Sequence, residues 1–143
     1  MEKDLKQLLL KDLCARLPYG VICHTEEGDG HLCSINQTIF GTEYGLNINP
    51  LKRDYFNDSE TDEQAIKPYL RPMSSMTDEE KEVVNKLIYN RETIWLSPFP
   101  VWVINESDIE KYIDFCNSHQ LDWRSLIEKG LALEAPEGMY KTE

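Results

Sequence analysis

The chain has 143 residues and a formal net charge of −11. That length suits one domain with a core of its own. The acid excess argues against binding a nucleic-acid backbone, which needs clustered Lys and Arg, and against an anionic membrane surface. With 41% hydrophobic and 29% charged residues, the composition is that of a globular chain rather than a disordered one. The four cysteines are Cys14, Cys23, Cys33 and Cys116. The N-terminal Met-Glu-Lys-Asp lacks the basic start of a signal peptide, and Leu8 to Leu10 is too short for its apolar core. No apolar run approaches the ~20 residues of a membrane span. The expectation is a cytoplasmic protein with reduced thiols.

Residues 3–16 read as a helix. Leu5, Leu8, Leu9 and Leu13 form its apolar stripe, widened by Leu10 and Cys14, with Lys, Asp, Gln and Arg on the other face. Pro18 and Gly20 end it. A β meander is expected next. Residues 19–24 form a first strand, and a turn at 25–30 has Gly28 and Gly30 available for positive φ. Residues 31–40 return, with Leu32, Ile35 and Ile39 spaced irregularly enough to suggest a bulge. A third strand covers 44–48. The polar, acidic stretch 53–63 reads as a surface loop.

In residues 66–80, Pro68 and Pro72 keep the chain extended. Thr77 and Glu80 then form a capping box, with Asp78 and Glu79 at the positive end of the dipole. The helix that follows runs to about Tyr89, with Val83, Val84, Leu87 and Ile88 as its buried face. Only Arg71, Ser74 and Ser75 have no structural task in this reading. Residues 92–104 are apolar, and Pro98 and Pro100 exclude a helix interior or a central strand. Trp95, Phe99 and Trp102, with Trp123, suit a core or a binding face. Ser107 with Glu110 predicts a second capped helix, striped by Ile109, Tyr112, Ile113 and Cys116. A short helix is expected over 123–129, with Asp122 as N-cap and Gly130 as stop. Residues 131–133 add a strand or pack on the core, and the tail from Pro136 frays. The fold class is α+β: an N-terminal helix, a small antiparallel meander, then three helices packed against it. It forms a single domain, 1–143, with a β-containing half to about 76 and a helical half from 77.

Candidate chemistry is sparse. Cys23-His24 and His31-x-Cys33 flank one turn and are zinc-type ligands, but neighbours on a strand point to opposite faces. Asp58-x-Glu60-x-Asp62 opens like a calcium loop, yet Glu63 and Tyr69 stand where Gly and Glu are required. Cys116 and His119 are helical neighbours, with Cys116 in the apolar stripe. No Gly-x-Ser-x-Gly, phosphate loop or dinucleotide fingerprint occurs. No catalytic, cofactor-binding or metal residue is assigned, and no cofactor is expected.

Three blocks carry a resemblance. Asp-Leu-Cys-Ala-Arg-Leu-Pro-Tyr-Gly-Val (12–21), Ile-Lys-Pro-Tyr-Leu-Arg-Pro-Met-Ser-Ser-Met-Thr (66–77) and Gly-Leu-Ala-Leu-Glu-Ala-Pro-Glu-Gly-Met-Tyr (130–140) resemble a family of small proteins from gut Bacteroidetes, their prophages and phages. The resemblance spans the chain and implies a bacterial or phage cytoplasm. It implies no activity and no functional residues. The Trp95–Trp102 segment departs from it. The expected function is non-enzymatic binding of a protein partner, a basic surface being favoured by the charge. The alternatives are an enzyme with a dispersed site and an acidic mimic of nucleic acid.

Overall fold

The structure, a computed structural model, describes the backbone of residues 2–48, 51–58, 65–89, 91–96, 99–104 and 106–140, and the side chains of 4–48, 52–57, 65–87 and 109–140. Helix α1 (Glu2–Arg16) precedes strands β1 (Ile22–Thr25), β2 (Gly28–Thr38), β3 (Gly41–Ile48), β4 (Leu51–Asp58) and β5 (Lys67–Leu70). Helix α2 (Asp78–Tyr89), strands β6 (Arg91–Leu96) and β7 (Phe99–Ile104), helix α3 (Glu106–Ser118) and strand β8 (Leu133–Glu134) follow. Six strands form one sheet in the order β4-β3-β2-β1-β5-β8, antiparallel except for the parallel β5–β8 edge. β6 and β7 form a separate two-stranded sheet.

The α+β class therefore holds. Its finer description needs correcting: among the described residues the main sheet has six strands, and there are three α-helices. The stretch from 53, read as an acidic loop, is instead strand through Asp58, and every β4 residue pairs with β3, from Ile48↔Leu51 to Gly41↔Asp58. Alternation explains this: Arg53, Tyr55 and Asn57 share one face, which cross-strand packing holds against Leu46, Tyr44 and Thr42. Residues 59–63, the rest of that loop, lie outside the described residues. The 123–129 segment is a run of turns rather than a helix. Ser125 sits at φ +60, which breaks helical geometry at its centre. Asp122 still accepts from the backbone N–H groups of Leu126 (2.7 Å) and Ile127 (3.0 Å), and Gly130 still stops the segment at φ +77.

Other expectations stand. The bulge falls at Cys33, where the β2–β3 register shifts between Leu32 and Ser34. Gly28 takes φ +129 at the first turn; Gly30 instead lies in β2, where an added Cβ would come within 2.6 Å of the Asn47 carbonyl oxygen. Pro100 pairs opposite Trp95 in a hairpin whose strands are both edges, where a missing N–H is tolerated. The side chains of Trp95, Phe99 and Trp102, and the Ser107 cap, lie outside the described residues.

α1 covers one face of the sheet. Leu9 and Leu13 pack with Cys23, Leu32, Tyr44, Leu46 and Leu70, and Leu126, Leu131 and Ala132 complete this core. Each fully buried leucine contributes about 2 kcal/mol. The opposite face carries exposed His24, Asp29, His31, Asn47, Lys52 and Asp54, as an antiparallel sheet solvated on one side should. Of the α2 stripe, Val84 is buried, Leu87 is half-buried and Val83 is 41% exposed, and the Ile88 side chain lies outside the described residues.

Ile66 to Glu80 is the joint between the sheet and the helices. The capping box forms: the Glu80 N–H donates to Thr77 Oγ1 (3.2 Å), and the Thr77 N–H donates to Glu80 Oε1 (2.9 Å). Arg71, which had no task in the sequence, donates to both oxygens of the same carboxylate at 2.7 and 2.8 Å. Its guanidinium also reaches the carbonyls of Ser75 and His119, both at 3.2 Å. Its backbone bonds to the chain after α3, with Arg71 N–H to Gln120 O at 2.7 Å and Asp122 N–H to Arg71 O at 2.8 Å. Ser75 has a task as well: its hydroxyl donates to Pro72 O (2.7 Å).

Asp12 and Arg16, expected on the polar face of α1, are wholly buried (0% exposed). Burial is tolerable because both are satisfied. Arg16 Nε donates to Asp12 (2.8 Å) and Nη2 to Leu121 O (2.7 Å), while Arg124 donates to the other Asp12 oxygen (3.1 Å). The C-terminal segment does not fray through Tyr140. The Tyr140 hydroxyl accepts from the Ile22 N–H (2.8 Å) and lies 2.8 Å from Tyr69 O. In the β1–β5 register Ile22 and Tyr69 are the next pair after Cys23↔Pro68, so the phenol fills a missing rung.

The Arg71 guanidinium, supported by the Thr77 N–H, holds the Glu80 carboxyl at about 2 against an ordinary 4.5. Its contribution is full above about pH 4.5 and is lost as pH falls toward 2; the displacement corresponds to about 3 kcal/mol. Glu80→Gln should cost about 3 kcal/mol at neutral pH and flatten that limb, measured by urea unfolding across pH 2–7. An unchanged acid limb would show that the pair carries none of it. Tyr140→Phe should cost about 1–2 kcal/mol and raise hydrogen exchange at Ile22, since its amide loses its acceptor.

Candidate functional site

The residues singled out in the sequence are spread over both faces of the sheet, the Met73–Ser75 turn, α3 and the segment after it. Cys23 is wholly buried under α1 and His24 is exposed on the other face, so the two cannot meet one ion. Among the described residues, no three His, Cys, Asp or Glu side chains converge as a metal site would require. The Cys33 thiol, at the bulge, donates to Gly45 O (3.2 Å). Cys116 is buried, which pushes its thiol up, away from thiolate chemistry. His119 does not turn toward it: its ring stacks on Phe115 at 4.1 Å, and Nδ1 lies 2.9 Å from Phe115 O. Trp123 is half-buried, bonded to Asn117 Oδ1 (2.9 Å) with Arg124 over its ring at 4.2 Å. Ser74 is exposed. Of the acidic calcium-like stretch, residues 59–63 lie outside the described residues.

The solvated sheet face does assemble one polar group. His24 Nδ1 lies 2.8 Å from Asp29 Oδ1, and the Tyr69 hydroxyl donates to the same oxygen at 3.2 Å. The partners are placed by register, since His24 opposes both Asp29 on β2 and Lys67 on β5. Partial burial and the Asp29 carboxylate push the Tyr69 phenol up, so it stays protonated and acts as a donor. The group is open to solvent, with His24 and Asp29 both exposed.

The unusual feature is the β2–β3 turn. A two-residue hairpin turn ordinarily carries Asn-Gly or Asp-Gly. Here the tip is Ile39-Phe40, 88% and 70% exposed. Its geometry is fixed by Thr38, whose Oγ1 accepts from the Phe40 N–H and donates to Gly41 O, both at 3.1 Å. Phe56 on β4, 45% exposed, adds apolar surface nearby in the register, opposite Glu43. Beside the tip lies a cavity of about 280 Å³ between α1 and the sheet, lined by Leu10, Gln37, Ile39, Thr42 and Tyr44 with Lys6. The sequence reading missed this site by assigning Ile39 to a strand stripe. The available signal was a bulky apolar pair directly before Gly41, where turn chemistry asks for small polar residues.

Burial raises the thiols of Cys14, Cys23 and Cys116, yet only Cys23 and Cys116 are inaccessible. Iodoacetamide should therefore label Cys14 and Cys33 in the native protein and all four cysteines after unfolding; native labelling of Cys116 would contradict this packing. No family model, curated protein or solved structure matches this chain.

Proposed function

We propose that this chain is a small, non-enzymatic binding protein of phage or mobile-element origin in Bacteroidetes, acting in the cytoplasm, and that the Ile39-Phe40 turn is the surface it presents to a protein partner. The observation that carries the reading is the exposure of those two side chains on a tip fixed by the Thr38 hydroxyl. Exposed apolar groups on a rigid turn cost little ordering entropy when they dock, which is what an anchoring pair needs. The adjoining cavity, with Leu10 and Tyr44 in its lining, offers room for a side chain from the partner. The acidic charge favours a partner whose contact surface is basic at its rim. No helix among the described residues is long and apolar enough to cross a membrane.

The test replaces the two exposed anchors. Ile39→Asp with Phe40→Asp should leave the thermal midpoint within about 2 °C of wild type, because neither side chain is in the core. A photo-crosslinking residue at 39 should yield one stoichiometric adduct in a Bacteroidetes lysate, and the Phe40→Asp change should reduce it at least about tenfold. Equal adducts with and without Phe40→Asp would remove the tip from the interface.

A further inference from the structure

The C-terminal segment bounds a second concavity, a cleft of about 540 Å³. Pro72, Ser75 and Thr77 line it together with Glu134, Glu137 and Tyr140. β8 is the last strand of the sheet on this side. The Ala135 N–H donates to Leu70 O (2.8 Å), so the backbone of Leu133 and Ala135 faces β5. Strand alternation then turns the N–H and C=O of Glu134 away from the sheet, toward the edge. Among the described residues β8 pairs with β5 alone, and no further strand lies on its other side. One donor and one acceptor on the same residue, on an extended edge beside a cleft, are what an added strand requires.

The charges of the cleft point to the kind of strand. Arg71, the cation in its lining, is neutralised by both oxygens of Glu80. Glu134 and Glu137 are exposed and have no ion-pair partner among the described residues. Tyr140 is held by its hydroxyl bonds to the Ile22 and Tyr69 backbone, so its ring is a fixed wall rather than a loose flap. We propose that this cleft receives an extended, lysine- or arginine-bearing segment of a partner protein, which adds to the sheet edge at Glu134 and places a cation between Glu134 and Glu137. This site is separate from the Ile39-Phe40 tip and does not depend on it.

The probe is a fluorescent peptide of alternating lysine and valine, with a glutamate–valine peptide and a backbone N-methylated lysine–valine peptide as controls. Anisotropy at low salt should give saturable binding of the basic peptide, at least about tenfold tighter than the acidic one. N-methylation, which removes strand donors, should weaken it about fivefold. Glu134→Gln with Glu137→Gln should weaken it by a similar factor, and Ile39→Asp with Phe40→Asp should leave it unchanged. Amide resonances of Glu134 to Gly138 should shift with the same saturation curve. Basic-peptide binding that ignores both N-methylation and the glutamate changes would mean attraction to the acidic surface at large and would overturn the proposal. Absence of saturable shifts at Glu134 up to about 1 mM peptide would overturn it equally.

Discussion

The Glu80 carboxylate serves a helix cap and a buried guanidinium at once, and the arrangement around the start of α2 follows from that. It closes the first turn of α2 by accepting the Thr77 N–H, and it neutralises a buried guanidinium through both oxygens. A buried arginine without its carboxylate would be strongly destabilising, so α2 cannot start elsewhere without stranding Arg71. Arg71 in turn ties its backbone to Gln120 and Asp122 and its side chain to His119 O. The end of β5, the start of α2 and the end of α3 are thus fixed by one pair of side chains.

A second polar network meets the first at the same place. Gln120, at φ +56, takes the left-handed position that ends α3; the Leu121 N–H reaches back to Cys116 O (2.8 Å) and the Gln120 N–H to Asn117 O (3.2 Å). Glycine usually occupies this position. Here the strained conformation puts the buried glutamine amide 3.4 Å from Arg16 and 3.3 Å from Tyr19 O. Arg16, carried by α1, then donates to Leu121 O. Residues 116–122 are thus bonded both to Arg16 of α1 and to Arg71 just past β5, while Cys116 and Leu121 are wholly buried. Such networks specify one arrangement strongly because any displaced member leaves a buried group unpaired.

What could be read from the sequence divides along the same line. The leucine stripe of α1, the Thr77–Glu80 box, the bulge near Cys33 and the Gly130 stop are local patterns, and each formed, but Cys14, expected to widen the α1 stripe, is exposed instead. The buried positions of Asp12, Arg16 and Arg71 were not legible, because a charged residue on a helix face, or just past a strand end as Arg71 is, looks solvated until its partner is known. Arg16 and Leu121 are 105 residues apart. The strand over 51–58 was hidden because its alternation mixes charged with aromatic residues, and only pairing with β3 makes one face internal. The 123–129 segment misled because Asp122 and Gly130 are real caps around turns that Ser125 prevents from becoming a helix. The candidate tip was written in the residues, as an apolar pair at a turn, but its exposure is a property of the assembled sheet.

The phenol of Tyr140 also has a consequence for the order of events during synthesis. The hairpins β1–β2, β2–β3 and β3–β4 join residues close in the chain and can pair as soon as Asp58 has emerged. The rung between Ile22 and Tyr69 cannot be completed until a residue 118 positions beyond Ile22 has been made and delivered. A growing chain can therefore carry its meander early and pair Cys23 with Pro68 and His24 with Lys67 while the Ile22–Tyr69 rung still waits for Tyr140. In this protein a side chain remote in sequence from both strands completes one rung of their pairing.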